Sequence, residues 1–366
     1  MGFNCGIVGL PNVGKSTLFN ALTATVNAQA ANYPFCTIEP NVGRVAVPDA
    51  RLDELQKIDH AAKIVPTQLE FVDIAGLVRG ASKGEGLGNQ FLGNIREVDA
   101  IIHVLRCFEN NEIVHVEGSI DPIRDAETVE TELMLADMEN LEKRLAGVVK
   151  KAQTGDKEAK QWVAVIDPAL KCLQEGKPAR LAIPTDEEAL KLFRQLCLLT
   201  AKPVLYVCNV DEGAAATGNE FSERVEKMAA DQGNTSVVIS ANIEQEIAQL
   251  PLSEQPEFLE TLGLKETGLS RIIKAGYNLL GLETFFTSGP TEAHAWTMRK
   301  GTLAPQAAGI IHSDFERGFI RAEVVSYKDY VAFNGESGAR EKGLLRQEGK
   351  NYIMQDGDVV HFLFNV

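Results

Sequence analysis

The chain has 366 residues, a formal net charge of −15 and an apolar fraction of 45%. This length predicts two or three domains, and the acidic charge argues against a protein that coats nucleic acid broadly. The sequence contains no apolar run of membrane-spanning length, and its six cysteines show neither zinc spacing nor a Cys-x-x-Cys pair. We therefore expect free thiols and a cytoplasmic protein without membrane contact.

The amino-terminal segment carries a phosphate-binding pattern. An apolar strand over residues 5–8 is followed by Gly9-Leu10-Pro11-Asn12-Val13-Gly14-Lys15-Ser16, and then by apolar residues at helical spacing. In such a strand, loop and helix, glycines let backbone N–H groups curl around the α- and β-phosphates. Lys15 would contact the β- and γ-phosphate oxygens, and the Ser16 hydroxyl would bind Mg²⁺. A chance match is the alternative, but the strand and helix around the loop make it improbable.

A loop bounded by Pro34 and Pro40 follows the first helix and precedes a strand over residues 43–47. This is where the first switch of a nucleotide-dependent protein would lie. The Thr37 hydroxyl and carbonyl would contact Mg²⁺, and its N–H the γ-phosphate. A plain turn residue is the alternative.

The next strand, over residues 68–74, predicts a second switch. Asp73 near its carboxyl end would be the other Mg²⁺ partner, through water. Gly76 would bring a backbone N–H close to the γ-phosphate. The stretch over residues 79–89 is too rich in glycine to be rigid, so we expect it to order around the nucleotide.

Leu77 occupies the position where many related switches carry a glutamine that orients the attacking water. Its side chain can neither donate nor accept a hydrogen bond. Hydrolysis is therefore slow, or another group positions the water. His115, in the loop after a strand over residues 100–105, is one candidate for this catalytic role, and a surface histidine is the alternative.

Two later strands, over residues 203–208 and 236–239, end in Asn209-Val210-Asp211-Glu212 and in Ser240. In a doubly wound sheet such strand ends gather beside the phosphate loop and hold the base. A guanine site would read Asn-Lys-x-Asp, but here Val210 replaces the lysine and Glu212 the aspartate. Because adenine presents an acceptor at N1, the sequence predicts ATP over GTP, with Asn209 and backbone near Val210 at the adenine edge.

A segment of different character covers residues 125–201. Its apolar residues alternate by four and three from Met134 to Ala152, and further stripes follow a turn at residues 154–156. This predicts an antiparallel coiled-coil hairpin rather than an oligomerising rod, so we expect a monomer. The charged faces of the hairpin are either a solvated surface or a docking arm.

From about residue 280 the pattern changes to short strands over residues 283–287, 319–325 and 359–364, with a short helix over residues 313–318. This mixture of short strands and a helix is typical of a small β-grasp module. We find no group of residues typical of a catalytic site in this part of the sequence. Six of its basic residues would form a face for RNA backbone, or are scattered surface charge: Arg299, Lys300, His312, Arg317, Arg321 and Lys328.

Taken together, these motifs resemble the YchF family of Obg-like ATPases, within the Obg group of P-loop GTPase-related proteins. The similarity covers essentially the whole chain, including the phosphate loop and the stretches at residues 32–37, 73–81 and 209–212. It implies an α/β fold: an OBG-type G domain over residues 1–279, a P-loop NTPase domain with a mostly parallel doubly wound sheet. The helical coiled-coil insert at residues 125–201 interrupts it, and a TGS domain of β-grasp fold covers residues 280–366.

The resemblance also implies a function. Family members hydrolyse ATP with Mg²⁺, bind GTP more weakly and associate with the ribosome, chiefly its large subunit. Leu77 fits the apolar replacement of the catalytic glutamine in this family, and Asn12 resembles the asparagine with which some relatives recruit K⁺. The implied Mg²⁺ ligands are Ser16 and Thr37, and the implied ATP contacts are Asn12, Val13, Gly14, Lys15, Ser16, Thr17 and Val210.

Three functional interpretations follow. In the first, a slow ATPase switch, Lys15, Mg²⁺ and the loop amides drive phosphoryl transfer to water, and a partner completes the site. The second is a GTPase of the Obg group, against which residues 209–212 argue. The third is a ribosome-bound adaptor for which the nucleotide is only a structural ligand.

Overall fold

The computed structural model describes residues 3–30, 42–74, 87–110, 112–115, 118–251 and 253–365. The strands are β1 Asn4–Val8, β2 Val42–Ala46, β3 Ile64–Val65, β4 Gln68–Asp73, β5 Ala100–Arg106, β6 Val204–Asn209, β7 Thr235–Ile239, β8 Leu282–Ser288, β9 Ala293–Arg299, β10 Phe319–Ser326, β11 Arg346–Glu348 and β12 Asp358–Phe364. The helices are α1 Lys15–Ala30, α2 Arg51–Asp59, α3 Leu87–Glu97, α4 Pro122–Gln153, α5 Lys157–Gln174, α6 Glu187–Gln195, α7 Glu220–Asp231, α8 Ala241–Gln249, α9 Gln255–Thr261, α10 Gly268–Leu279, α11 Ala304–Ile311, α12 Ser313–Arg317, α13 Tyr327–Ala332 and α14 Glu336–Glu341.

The first sheet has the order β2-β4-β1-β5-β6-β7 and is parallel except for β2, which runs antiparallel to β4. Every residue of β5 and β6 is buried. Their near-continuous apolar sequences are typical of strands that helices cover on both faces. The predicted mostly parallel, doubly wound sheet is confirmed, and the carboxyl ends of β1, β4, β5, β6 and β7 meet at one edge.

Two long helices, α4 and α5, together with the shorter α6, form the segment inserted between β5 and β6. Only three residues join α4 to α5, so they run antiparallel and share an apolar core that includes Leu141, Ile166 and Leu170. Asp121 and Asp156 cap their amino termini. The helical hairpin is as predicted, whereas its description as a coiled coil stays a prediction. None of the described helices, including the 32-residue α4, is long and apolar enough to cross a membrane.

The second sheet has the order β11-β10-β12-β8-β9-β3, in which β12 runs parallel to β8. One apolar core, which includes Phe285 and Phe362, packs beneath α11. A second core, which includes Phe286 and Val359, lies against α2 and α13. The three predicted strands and the short helix are present here, but β9, β11, α11, α13 and α14 were not anticipated. The assignment to the TGS and β-grasp class stays a prediction.

Residues 51–65 pack on the second sheet, although the sequence analysis assigned them to the first domain. Leu52 and Leu55 of α2 share a core with Phe286, and β3 pairs with β9. Arg51 forms an ion pair of 2.7 Å with Asp356. The apolar face of a short helix indicates that it is buried but not what covers it, so the sequence pattern could not reveal this connection.

Candidate nucleotide-binding site

The predicted phosphate loop joins β1 to α1 and depends on close backbone approach. A Cβ atom at Gly9 would lie 2.5 Å from the Val104 carbonyl oxygen, and one at Gly14 would collide with the Asn209 side chain. Gly14 also has a φ of +99°, a conformation that only glycine adopts without strain. Because α1 begins at Lys15, the unpaired N–H groups of its first turn face the loop, where an anion binds favourably.

The Lys15 ammonium group is held inside this loop. Its side chain is only 8% exposed, and Nζ donates a hydrogen bond of 2.7 Å to the Leu10 carbonyl oxygen. Burial lowers the pKa of Lys15 to about 8, although the nearby Asp73 charge opposes this shift. Burial likewise raises the pKa of Asp73, against the effect of Lys15. A triphosphate would replace the carbonyl with a far stronger acceptor for this cation.

Asn209 connects the loop after β1 to the start of α8. The residue is 4% exposed, and Nδ2 donates to the Val13 carbonyl oxygen at 2.9 Å. Its Oδ1 accepts a hydrogen bond of 2.9 Å from the Ala241 N–H, at the start of α8. The amino group and the carbonyl group of this amide both have hydrogen-bond partners, so the side chain fixes the phosphate loop relative to the start of α8.

A cavity of about 640 Å³ lies where these loops meet. The structure brings together here six of the predicted nucleotide-binding residues: Asn12, Gly14, Thr17, Asn209, Val210 and Glu212. Lys15, Val13 and Ser240 are buried and do not line the cavity, and Ser16 is exposed in the first turn of α1. The cavity also has lining residues that the sequence analysis missed: Phe108, Glu109, Asn110, Ile113, Asp211, Gly213, Ala241 and Asn242. The sequence feature that could have identified them is their position directly after the carboxyl ends of β5, β6 and β7.

The end of the cavity where the sequence predicts the base carries Val210, Asp211 and Glu212, and its role in base recognition stays a prediction. The carboxylate of Asp211 accepts a hydrogen bond of 3.1 Å from the Ala214 N–H, so it caps the short helical turn that follows. Glu212 is exposed at the cavity, and the buried Val210 offers no cation for stacking.

The predicted Mg²⁺ residues are only partly described. Ser16 is the second residue of α1 and Asp73 ends β4, whereas Thr37, Gly76, Leu77 and residues 79–86 of the predicted second switch lie outside the described residues. Residues 87–89 of that stretch are the first residues of α3. In the described ranges, no group of three or more His, Cys, Asp or Glu side chains could hold a metal ion by itself. One hydroxyl and one carboxylate fit Mg²⁺, which in such sites takes its remaining ligands from phosphate and water.

His115 follows the cavity wall but does not line the cavity. Its Nε2 lies 2.8 Å from Oδ2 of the buried Asp125, near the start of α4. The adjacent Val114 carbonyl oxygen accepts a hydrogen bond of 3.2 Å from Asn12 Nδ2. The histidine is thus fixed close to the phosphate loop, and its catalytic role stays a prediction.

Comparison with known proteins defines the family. Residues 282–365 match the YchF-GTPase_C family, described as a protein of unknown function (DUF933), and residues 4–151 match a family described as 50S ribosome-binding GTPase. The chain is 56% identical over 366 residues to the ribosome-binding ATPase YchF of Haemophilus influenzae, and both chains are covered completely. It is 55% identical to the protein of the same name from Bacillus subtilis, again over the full length of both.

The chain belongs to the YchF family. The predicted family is therefore confirmed. A solved YchF structure, that of the Schizosaccharomyces pombe YchF GTPase, superposes with a TM-score of 0.89 at 40% identity and covers 99% of this chain and 98% of its own. The names of these YchF relatives differ in the nucleotide, ATPase for the bacterial proteins and GTPase for the yeast protein, so base selectivity must be argued from the site.

Proposed function

We propose that this chain is a Mg²⁺-dependent ATPase that prefers ATP to GTP and couples its nucleotide state to ribosome binding. The observation that carries the proposal is the cavity that joins the phosphate loop to Asn209, Val210 and Glu212. It has phosphate-binding groups at one end and, at the other, neither the lysine nor the aspartate of a guanine-selective site. The bacterial relatives are named ribosome-binding ATPases, which supports both parts of the proposal.

Each side chain has a distinct role in the proposed hydrolysis. The Lys15 ammonium group would neutralise charge on the β- and γ-phosphates, and Ser16 and Asp73 would hold Mg²⁺, which supplies further charge neutralisation when bound. Thr37 and Gly76 would contact the γ-phosphate. Because Leu77 cannot orient water, turnover without a partner would be slow.

The helical hairpin has a physical connection to the second switch. Lys202 Nζ donates a hydrogen bond of 3.1 Å to the Arg96 carbonyl oxygen in α3, the helix that begins within the last residues of that predicted switch. The preceding residues, Leu199 and Thr200, donate their N–H groups to the buried Asp137 of α4 at 2.9 and 2.8 Å. A shift of α3 on hydrolysis would therefore reach the hairpin, which we propose acts as a coiled-coil docking arm.

The tip of the hairpin is the more favourable contact for ribosomal RNA. Residues 143–160 contain six basic and two acidic residues in a chain of net charge −15, and all six basic side chains are exposed. They are Lys143, Arg144, Lys150, Lys151, Lys157 and Lys160. Such a concentration of exposed cations attracts a phosphate backbone. We propose this tip, on a monomeric protein, as the contact with the large subunit.

The basic face predicted for the carboxyl-terminal module is largely compensated. Arg299 lies 3.9 Å from Asp99, and Arg321 lies 3.9 Å from Glu323. Arg317 pairs with Asp314, whose carboxylate is also 3.5 Å from His312. A weaker RNA contact through this module, proposed as a TGS domain, remains compatible with Lys300 and Lys328.

The test is phosphate release from ATP and from GTP, each without ribosomes and with isolated small or large subunits. We expect slow hydrolysis, an ATP preference and acceleration by the large subunit. A GTP preference above tenfold would instead favour the GTPase. If Lys15→Ala and Ser16→Ala proteins bind ribosomes and function normally, the nucleotide is a structural ligand and the adaptor interpretation holds.

The same assay addresses the ions. Removal of Mg²⁺ with a chelator should abolish hydrolysis. The resemblance of Asn12 to a K⁺-recruiting asparagine predicts faster turnover in K⁺ than in Na⁺, and equal rates would contradict it.

A further inference from the structure

One wall of the nucleotide cavity is an irregular loop, residues 107–114, that follows β5. Phe108, Glu109, Asn110 and Ile113 line the cavity from this loop, on a different element from Asn209 and Glu212. Among its described residues none lies in a regular helix or strand. Without a backbone ladder, the loop must be positioned by other hydrogen bonds.

Arg106, the last residue of β5, supplies those hydrogen bonds from beneath the loop. Its side chain is only 1% exposed. Nε donates to the Phe108 carbonyl oxygen at 3.3 Å, Nη2 to that of Asn110 at 2.9 Å and Nη1 to that of Ile113 at 3.0 Å. The guanidinium carbon also lies 4.8 Å from the centre of the Phe108 ring. The fork geometry of arginine thus spans the whole middle of the loop.

The ends of the loop are attached independently of Arg106. At the first end, Cys107 N–H donates to the Asn209 carbonyl oxygen at 2.8 Å, and the Cys107 carbonyl oxygen accepts from Asn219 at 2.7 Å. At the other end, Asn12 donates to the Val114 carbonyl oxygen. Only the middle, which carries the cavity-lining side chains, depends on the guanidinium group.

The charge of Arg106 is committed to these carbonyl groups rather than to an ion pair. Across the part of the chain that the structure describes, no carboxylate lies within salt-bridge distance of its guanidinium group. A buried cation is costly unless it is fully hydrogen-bonded, so the three carbonyl contacts also hold Arg106 in place. The Arg106 side chain and the loop therefore stabilise each other's conformation.

We propose that Arg106 is a positioning residue for nucleotide binding, which fixes the wall formed by Phe108, Glu109, Asn110 and Ile113 at the distance that the bound nucleotide requires. The inference rests on the proposed function, because the cavity must be the nucleotide site. It predicts an effect on affinity rather than on the chemical step. The phosphate loop is held by Asn209, and His115 is held by Asp125, so neither depends on Arg106 directly.

The experiment compares wild type with Arg106→Lys, which keeps the charge but carries all donors on one nitrogen and cannot span three carbonyls. We expect KM and the Kd for ATP to rise about tenfold, with kcat at saturating ATP within about twofold of wild type. Arg224→Lys is the matched control. Arg224 forms an exposed ion pair of 3.1 Å with Asp121 outside the cavity, and its exchange should change neither constant.

The outcomes separate the two proposals. If wild type binds ATP and Arg106→Lys binds it equally well, the positioning role is wrong while the proposed function stands. If folded wild type binds no ATP, both are wrong. A fall in kcat of about tenfold without a change in KM would also contradict the positioning role, because it would place the effect in the chemical step.

A second measurement needs no variant and covers the case in which Arg106→Lys does not fold. Amide hydrogen exchange of nucleotide-free wild type should show the amides of Glu112 and Ile113, which donate to the side chain and the carbonyl group of Asn110, protected to an extent that ATP increases only slightly. Exchange at the rate of an unstructured segment, followed by strong protection on ATP addition, would show that the nucleotide itself orders this wall and would overturn the proposal.

Discussion

Asn209 Nδ2 donates a hydrogen bond of 2.9 Å to the Val13 carbonyl oxygen, across 196 residues of sequence. The same amide accepts the Ala241 N–H, so one side chain fixes the phosphate loop relative to the start of α8. The close approach explains why Gly14 cannot carry a side chain, since its Cβ would collide with Nδ2. The phosphate loop and the proposed base-binding segment are therefore connected through a single buried side chain.

Asn209→Ala should lower both stability and nucleotide affinity. It leaves the Val13 carbonyl and the Ala241 N–H without their buried partner, which costs about 1–3 kcal/mol for each unsatisfied group. Urea unfolding of nucleotide-free protein measures the first effect, and calorimetry with ATP the second. Asn234→Ala is the control, because the Asn234 side chain is half-buried, lies outside the cavity and donates to the exposed Gln232 rather than bridging two loops. Equal stability of the two variants would contradict the bridging role.

Glu212→Asp should move base selectivity toward GTP. The shorter carboxylate would approach the position from which an aspartate binds the N1–H and amino group of guanine, and it would repel the adenine N1. We expect the ratio of Kd values for GTP and ATP to fall at least about tenfold. Glu109→Asp makes the same chemical change at a cavity-lining residue of the loop after β5 and should leave the ratio unchanged. A ratio unaffected by Glu212→Asp would remove this residue from base recognition.

The parts of this fold that could be predicted from sequence are those with local signals. The Gly9–Ser16 pattern, the buried strands of the first sheet and the spacing of apolar residues in α4 and α5 each depend on neighbouring residues. The packing of α2 on the second sheet does not, because Leu52 and Phe286 meet only in the folded chain.

The candidate site shows the same division. Asn209, Val210 and Glu212 could be predicted as site residues because they belong to a motif at the end of a strand, and they line the cavity. Phe108 and Asn110 carry no motif. Their carbonyl groups accept hydrogen bonds from the buried Arg106, which in sequence is only a charged residue at the end of an apolar strand.

The lowered pKa of Lys15 makes the stability of nucleotide-free protein depend on pH. The pKa is about 8 in the folded protein and about 10.4 in an unfolded chain. Between these values the unfolded chain binds more protons, so the contribution of Lys15 to the free energy of unfolding rises with pH. Below pH 8 both states are protonated and the full destabilisation by the buried cation remains.

Lys15→Met removes this titration. We expect wild type to be less stable than Lys15→Met at pH 7 and to gain on it by up to about 3 kcal/mol as pH rises from 8 toward 10.4. Urea unfolding of both proteins at matched pH values measures the difference. A difference that does not change with pH would show that Lys15 has an ordinary pKa.

His115→Ala and Asp125→Asn test the water-positioning role. If His115 orients the attacking water, its loss should lower kcat at least about a hundredfold with little change in KM. Asp125→Asn should lower kcat less, because the 2.8 Å contact orients the imidazole rather than touching the substrate. His312→Ala, at an exposed histidine of the carboxyl-terminal module, is the control. Full hydrolysis by His115→Ala would show that the role belongs to another group.

Removing positive charge from the tip of the helical hairpin should weaken ribosome binding. The rate of ATP hydrolysis measured without ribosomes should not change. The variant replaces Lys150, Lys151, Lys157 and Lys160 with alanine, a good helix former, so the fold should be preserved. If these side chains bind phosphates, affinity for the large subunit should fall. The slope of log affinity against log salt should also decrease, by about one for each phosphate that the variant no longer neutralises.

The matched control removes four exposed lysines of the carboxyl-terminal module, Lys300, Lys328, Lys342 and Lys350. Both variants change the net charge by the same amount, so any general electrostatic effect is equal in the two. Cosedimentation with large subunits at several salt concentrations compares them directly. A larger loss of affinity in the control would assign the RNA-binding surface to the carboxyl-terminal module, and equal losses would indicate that only the overall charge matters.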